Sequence, residues 1–289
     1  MADVYALNLR RNEDESHRLD EQFDLLTENI GYLIHPVIHQ SFPADEPLKI
    51  ADLATGTGRF LLRLAETKLL DDNAILHGSD ISSSLFPPPT ALPQNMKFNI
   101  LDIREPIPDH LHCTYDFVHV RQVAAGLTSE DWIDTVINVA KLLKPGGAMQ
   151  WEECDFTSVV HLRGAGVTGT AARKLGKMFK SGMWEYFRHG WNRLEEGMTA
   201  AGLQDVASEM VSSDRVPETR EALTRNGIRA IVAWANDKAQ AGILKDEHGQ
   251  VISLAELQTI EEQAYKDIDS GCYVRFDIHA AWGIRPKLE

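Results

Sequence analysis

The stretch IADLATGTGRF, from Ile50 to Phe60, joins an apolar run ending in an acid to a two-glycine turn and then to residues at helical spacing. A buried strand, a glycine turn and a helix in this order are typical of a parallel α/β unit. Gly56 and Gly58 have no side chains, so the backbone can approach a ligand closely there. Leu61 stands where a dinucleotide-binding loop carries its third glycine, and no phosphate-binding glycine-lysine pair follows. The turn therefore predicts a ligand site of another kind.

Strand and helix patterns alternate along the chain from Leu48 onward. Five short apolar runs are predicted strands, with the sequences LKIADLA, NAILHGSD, MKFNILDI, YDFVHV and GAMQWEEC. Near-continuous apolar strands separated by helices indicate a parallel sheet covered on both faces. Two further predicted strands, LQDVASEMVSS and GCYVRFDIHAAWGIRP, lie nearer the C-terminus. The predicted fold class is therefore α/β.

Helical patterns predict how the rest of the chain is divided. An apolar stripe at helical spacing runs through residues 19–30, before the first strand. We predict an N-terminal helical cap over residues 1–45 and a core over residues 46–289. Within that core, helical insertions are expected near residues 165–200 and 218–268.

Composition excludes several classes of function. The 289 residues carry a net charge of −14, whereas binding a phosphate backbone needs a basic surface, so nucleic acid is not an expected partner. No apolar run is long enough for a membrane span, and the N-terminus lacks a signal peptide's apolar core. We therefore expect a cytoplasmic protein with no membrane partner. The three cysteines are far apart, so no metal site is expected. The oligomeric state stays open, with a homodimer as one alternative.

Three aspartates end three successive predicted strands, where ligands bind in open α/β sheets. Asp52 would repel a pyrophosphate but would help to hold an ammonium group. Asp80 stands where a carboxylate accepts hydrogen bonds from ribose hydroxyls. Asp102 would accept from an adenine amino group, with Ile103 against the ring. The ligand has a nucleoside at one end and an amino acid at the other, without phosphate. That description fits S-adenosylmethionine.

The chain also resembles class I S-adenosylmethionine-dependent methyltransferases, and within them a branch of fungal secondary metabolism. The resemblance covers nearly the whole chain, in the segments YALNLRRNEDESHRLDEQ, HP at residues 35–36, DLATGTGRF, GSDIS, DFVHVR, LLKPGGAMQWEE and YVRFDIHAAWG. It implies a Rossmann-like, doubly wound, seven-stranded sheet with an antiparallel last strand. It also implies helical additions that form a lid over the active site.

We accordingly predict a cofactor site on the turn and on the ends of the first four strands. Its predicted residues are Asp52, Ala54, Thr55, Gly56, Thr57, Gly58, Asp80, Ile81, Asp102, Ile103, His119, Val120 and Arg121.

Catalytic and acceptor-binding residues are expected beside the methionine end of the cofactor. His119 is either a general base, because its ordinary pKa is near neutral, or a hydrogen-bonded wall residue. Glu152 is the second candidate base. It and Glu153 cannot face the same way, because side chains alternate on a strand. The aromatic segment 179–191 is either core or the lining of an acceptor pocket. The predicted acceptor contacts are Tyr5, Trp151, Trp184, Phe187 and His189.

The predicted function is methyl transfer to a hydroxyl, carboxyl or nitrogen of a small secondary metabolite by in-line displacement. Alignment of the reacting atoms is expected to supply much of the acceleration, since orientation is worth about 7–11 kcal/mol in favourable systems. Two alternatives are open. One is a regulatory protein of the LaeA type with a methyltransferase fold. The other is a pericyclase that retains the cofactor without methyl transfer. The fold alone does not separate them, because function depends on the site.

Overall fold

A seven-stranded sheet in the order β3-β2-β1-β4-β5-β7-β6 runs through the computed structural model, which describes residues 5–43, 46–67, 69–164 and 168–287. The strands are β1 (Lys49–Leu53), β2 (Ile75–Asp80), β3 (Met96–Ile100), β4 (Tyr115–Arg121), β5 (Leu143–Leu162), β6 (Gln204–Ser212) and β7 (Tyr273–Ile284). Strands β1 to β5 pair in parallel, and β7 is antiparallel to both β5 and β6. The predicted α/β, Rossmann-like sheet with an antiparallel last strand is confirmed.

Helices flank this sheet. They are α1 (Glu13–Ile30), α2 (Pro36–Ser41), α3 (Arg59–Glu66), α4 (Trp132–Ala140), α5 (Thr170–Gly182), α6 (Trp184–Phe187), α7 (Leu194–Ala200), α8 (Arg220–Gln240) and α9 (Leu254–Asp269). Among the described residues, no helix combines the length and the apolar character needed to cross a bilayer.

The N-terminal helix α1 is defined by its ends. The Asn12 side chain accepts from the backbone N–H of Glu15 at 2.9 Å, and Gly31 ends the helix with a left-handed φ of 96°. The helix contacts α8, because the Arg18 guanidinium donates to Asn226 at 3.1 Å. The division into a cap of residues 1–45 and a core stays a prediction.

Parts of the predicted helical segments lie outside the described residues. In the cap these are residues 1–4 and 44–45, and in the first insertion they are residues 165–167.

The order of the strands reverses between β1 and β4, the position at which ligands bind in doubly wound sheets. Both strands are buried on both faces, as their apolar sequences predict. Phe117 on one face and Val120 on the other have no exposed surface. The carboxyl ends of β1 and β4 are therefore held in a rigid frame.

Strand β5 is longer than its apolar run predicts. Beyond a register shift between Asp155 and Val160, it continues to pair with the start of β7, as far as Leu162 opposite Tyr273. The polar residues in this extension obscured the strand pattern, and the pairing partner is distant in sequence. The extension carries Phe156 and Val159 above the carboxyl end of the sheet, where they line a cavity.

Candidate active site

The glycine turn has three residues with left-handed backbone conformations. Ala54, Gly56 and Gly58 have φ values of 51°, 54° and 75°. A Cβ atom added to Gly56 would meet nothing within 4 Å, whereas one on Gly58 would lie 2.5 Å from the Phe98 ring. Gly56 therefore presents bare backbone to open space, and Gly58 allows the turn to pack against β3. Ala54 adopts its conformation at a cost, because a side chain disfavours positive φ.

Asp80 reaches this turn from the end of β2. The backbone N–H of Gly56 donates to its Oδ2 at 3.0 Å, and that of Ser82 donates to its Oδ1 at 3.2 Å. Arg11, which precedes α1, forms an ion pair with the same carboxylate at 3.2 Å. Asp80 is thus held against the turn at the end of β2, and its role as an acceptor for ribose hydroxyls stays a prediction.

Asp102 lies just beyond the end of β3 and pairs with Arg104. The guanidinium donates to both carboxylate oxygens, at 2.9 and 2.7 Å. Burial opposes ionisation of Asp102, but the bonds from Arg104 outweigh it and lower the pKa of the carboxyl. Any adenine amino group bound here shares Asp102 with Arg104.

A first cavity opens above the turn and the ends of β1, β2 and β4. Of the predicted cofactor residues, those lining it are Asp52, Ala54, Thr55, Gly56, Thr57, Asp80, Ile81, Asp102, Ile103, His119 and Arg121. Two do not line it. Val120 points into the apolar core, and Gly58 packs on Phe98.

Helix α1 contributes a wall whose residues were not among the predicted site residues. Leu19, Gln22, Phe23 and Leu26 line the first cavity, together with the segment that follows β4, beginning at Gln122. The apolar stripe of α1 was a usable signal, but a stripe alone does not distinguish packing on a core from lining a cavity.

His119 lies between two carboxylates on the wall of the first cavity. Its Nδ1 is 2.7 Å from Asp52 Oδ1, its Nε2 is 3.7 Å from Glu152 Oε2, and its ring stacks on Phe60 at 3.7 Å. Burial lowers the pKa of His119, but the two carboxylates outweigh burial and raise it above its ordinary value. This environment favours a charged, fixed wall residue over a free base.

Glu152 is fully buried and lines neither cavity. Arg121 Nε donates to Glu152 Oε2, and Gln150 Nε2 donates to Oε1 at 2.6 Å. Burial raises the pKa of Glu152, but Arg121 and His119 lower it further, to about 2. The expectation that Glu152 is a candidate base is corrected, because the carboxylate cannot reach an acceptor and is already paired.

Trp151 is also fully buried, under Trp132, with the ring centroids 6.0 Å apart. Its Nε1 donates to Glu153 Oε1 at 3.0 Å, and the same oxygen accepts from the backbone N–H of Val123 at 2.9 Å. The predicted acceptor contact at Trp151 is therefore wrong. Glu153 Oε2 has no hydrogen-bond partner among the described residues, and burial raises the pKa of Glu153 to about 7.

A second cavity lies between α1, α5, α8 and the extension of β5. It meets the first cavity at Tyr5, Leu19, Gln22 and Gln122, which line both. Phenylalanine rings dominate its walls, namely Phe156, Phe179, Phe187 and Phe276.

The predicted acceptor contacts divide around this second cavity. Tyr5 and Phe187 line it. Trp184, with 43% of its surface exposed, and His189 do not, so the structure does not place them at an acceptor. The aromatic segment is thus partly core and partly cavity wall.

Tyr5 is held at the junction of the two cavities by a buried ionic cluster. Its hydroxyl donates to Glu15 Oε1 at 2.5 Å. Arg18 donates to both oxygens of Glu15, at 2.8 and 2.5 Å. Burial and the Glu15 carboxylate raise the pKa of the Tyr5 phenol, so the phenol stays protonated.

Gln122 has a left-handed backbone at the same junction, with φ of 56°. Its backbone N–H donates to the Glu152 carbonyl at 2.9 Å, and its side-chain Nε2 lies 2.9 Å from Cys154 Sγ. A non-glycine residue with positive φ is uncommon, and such strain is concentrated at functional sites.

The first cavity fits S-adenosylmethionine. The bare backbone at Gly56 allows a ligand to approach closely, and the acceptor at Asp80 suits the ribose of a nucleoside. Four arginines line the cavity, and each is paired with a carboxylate: Arg11 with Asp80, Arg59 with Asp24, Arg104 with Asp102, and Arg121 with Glu152. A phosphate group would compete with those carboxylates, whereas a phosphate-free ligand does not.

Comparisons with known proteins also indicate a methyltransferase. No protein-family model matches the chain. The chain is 31% identical to N-methyltransferase sirN of Leptosphaeria maculans, over 96% of this chain and 94% of that protein. It is 34% identical to methyltransferase grgD of a Penicillium species, over 52% of this chain and 53% of that protein. It is 26% identical to the secondary metabolism regulator laeA of Gibberella zeae, over 65% of this chain and 58% of that protein.

Proposed function

The chain belongs to the class I S-adenosylmethionine-dependent methyltransferases of fungal secondary metabolism, and from this we propose that it methylates a small molecule held in the second cavity. The observation that carries the proposal is the junction of the two cavities. A cofactor in the first cavity and an acceptor in the second would face each other across Tyr5, Leu19, Gln22 and Gln122.

Within this proposal, the first cavity positions the cofactor. When bound, S-adenosylmethionine supplies a methyl group on a sulfonium that a nucleophile can displace in line. Asp80 would accept from the ribose hydroxyls, and the backbone at Gly56 would allow close approach of the amino-acid portion. Asp102 and Ile103 would flank the adenine. Asp52 would favour the positive charge of the amino group.

Catalysis would then depend on positioning. The polar side chains at the junction are Tyr5, whose hydroxyl already donates to Glu15, and the carboxamides of Gln22 and Gln122. None of them is a base near neutral pH. The acceptor therefore needs a lone pair or a proton that is lost easily, and His119 acts as a wall residue.

A nitrogen acceptor fits this junction well, because a neutral amine already carries the lone pair that attacks the methyl group. The name of the similar protein sirN, an N-methyltransferase, also favours nitrogen. Hydroxyl and carboxyl acceptors are the other candidates.

A regulatory role is the second candidate, because the chain is also similar to the regulator laeA. An aromatic second cavity favours the enzyme, since a regulator has no need of a small-molecule acceptor site. A pericyclase would use the same cavity and cofactor but would leave the methyl group in place.

Methyl-labelled S-adenosylmethionine tests the proposal. The protein is incubated with the labelled cofactor and a small-molecule extract from a strain lacking it, and the products are analysed by mass spectrometry. We expect a small molecule that gains the label and the mass of one CH2. Cofactor binding without any labelled small molecule would favour the regulator, and an unlabelled isomerised product would favour the pericyclase.

A further inference from the structure

The charge inside the second cavity is opposite in sign to that of the protein. The chain as a whole carries −14. Among the described residues that line the cavity there is no aspartate, glutamate or histidine, and the ionisable cations are Arg18 and Lys180. A cationic ligand would find no counter-ion on these walls.

The two cations differ in how they are compensated. Arg18 donates to both oxygens of Glu15 and also to Asn226. Because this pair is buried and neutral overall, Arg18 contributes shape and polarity more than net charge.

Lys180, on α5, has a different environment. Its ammonium group donates to the backbone carbonyl of Thr157 and lies 5.8 Å from the centre of the Trp184 ring. No carboxylate in the described ranges of the chain forms an ion pair with it. Its neighbour Lys177, by contrast, pairs with Glu247 at 2.7 Å. Lys180 is half-buried and lines the second cavity, and an ammonium group without a counter-ion in such a place is a binding group for an anion.

The remaining walls select a flat, apolar body. The Phe156 ring lies 5.0 Å from that of Phe187 and 5.2 Å from that of Phe276, and Phe179 lies 5.3 Å from Phe187. These tilted and edge-on rings form an aromatic surface that favours contact with a planar ring.

We infer that the second cavity binds an acceptor with a flat apolar body and an anionic group, such as a carboxylate or an acidic enolate, that pairs with Lys180. The inference rests on the proposed function only in taking this ligand to be the methyl acceptor. The anionic group would anchor one end of the molecule at α5 and leave the other end free to face the junction at Gln122.

Two fluorescent probes that differ by one charge test the inference. Anilinonaphthalene sulfonate is planar and anionic, and phenylnaphthylamine has the same rings without the sulfonate. Both are titrated into the full-length protein saturated with S-adenosylhomocysteine, so that the first cavity is filled. Wild type is compared with Lys180→Met, with Lys180→Arg and with the matched control Lys177→Met.

We expect Lys180→Met to weaken sulfonate binding about tenfold or more, as for a lost hydrogen bond to a charged group, and to leave the neutral probe unchanged. Lys180→Arg and Lys177→Met should bind the sulfonate like wild type. Ala230, on α8, lines only the second cavity, so Ala230→Phe should weaken both probes.

Several results would overturn the inference. They are equal sulfonate affinity in Lys180→Met and wild type, an equal loss for both probes in Lys180→Met, or sulfonate binding that survives Ala230→Phe. Calorimetry with S-adenosylhomocysteine alone separates this inference from the proposed function. A protein that binds the sulfonate through Lys180 but not S-adenosylhomocysteine would support the inference and contradict the function.

Discussion

Among single residues, Asp80 is the acceptor that we propose for the ribose hydroxyls, and it is a buried side chain on the wall of the first cavity. Its carboxylate is fixed by the N–H groups of Gly56 and Ser82, so little side-chain freedom remains to be lost on binding. Asp52 is fixed in a comparable way, by the Thr55 hydroxyl at 2.5 Å and by His119. The acids that the sequence identifies are therefore arranged before any ligand arrives.

Substituting Asp80 by alanine is expected to weaken binding of S-adenosylhomocysteine by about 1.5–3 kcal/mol, the range for hydrogen bonds that involve a charged group. Calorimetry measures this change. Asp72→Ala serves as the control, since Asp72 is an exposed acid on the loop before β2. An unchanged affinity in a folded Asp80→Ala protein would remove Asp80 from the cofactor site.

Glu153 makes stability depend on pH. Its folded-state pKa is about 7 against an ordinary value of 4.5, so between these values the folded protein holds a proton that the unfolded chain releases. The contribution of Glu153 to the free energy of unfolding is therefore fully present below pH 4.5 and is lost as the pH rises through 7. The loss is on the order of 3 kcal/mol, from 1.36 kcal/mol for each unit.

Glu153→Gln should remove that part of the pH dependence, because an amide keeps the acceptor for Trp151 and Val123 and does not ionise. The free energy of unfolding is measured by denaturant titration from pH 5 to pH 8. The raised pKa of His119 acts in the same direction but persists in the variant, so only the difference from wild type is assigned to Glu153. The exposed Glu130→Gln is the control. Parallel pH profiles for wild type and Glu153→Gln would contradict the assignment.

At the scale of an element, the two glycines of the turn between β1 and α3 have different roles. Gly58 allows the turn to pack on Phe98, and Gly56 faces the cavity. Both have positive φ, which costs about 1–3 kcal/mol for other residues.

Gly58→Ala should therefore mainly lower the stability of the fold, and Gly56→Ala should mainly weaken cofactor binding. Gly58→Ala adds a clash with the Phe98 ring and should lower the unfolding free energy by more than the backbone cost of about 1–3 kcal/mol. Gly56→Ala should cost only that backbone term but should weaken binding of S-adenosylhomocysteine, because its methyl group enters the cavity. Thermal unfolding measures the stability of both variants, and calorimetry measures their affinity for S-adenosylhomocysteine. Equal destabilisation with no difference in affinity would show that the turn has been assigned wrongly.

Elements that depend on local pattern were predictable from the sequence, and those that depend on distant partners were not. The β1 turn and the acids at the ends of successive strands follow from apolar runs and spacing. Trp151 and Glu152 illustrate the failure. Alternation places them on opposite faces of β5, but both faces are covered, so neither side chain reaches a ligand. Their strand is central, and the pattern carries no sign of what covers each face.

At the scale of the whole molecule, α1 contributes walls to both cavities and packs against α8. Arg18 on α1 and Asn226 on α8 are 208 residues apart in sequence and exchange two hydrogen bonds, at 3.1 and 2.8 Å. No local pattern predicts such a contact, so the sequence gives no sign of the walls that α1 and α8 contribute. The predicted cofactor residues, by contrast, follow one another at the carboxyl end of the sheet, and their role in binding the cofactor stays a prediction.

The variant Ala230→Phe tests whether the first cavity binds the cofactor and the second binds the acceptor. The added ring fills part of the second cavity, and residue 230 does not line the first. Transfer of labelled methyl from S-adenosylmethionine to the small molecules of an extract is measured for this variant and for wild type, together with affinity for S-adenosylhomocysteine. We predict that wild type produces a labelled small molecule and that Ala230→Phe, still folded, keeps the affinity but loses the transfer. A variant that transfers the label at the wild-type rate, or a wild-type protein that labels no small molecule, would contradict the assignment of cofactor and acceptor to these two cavities.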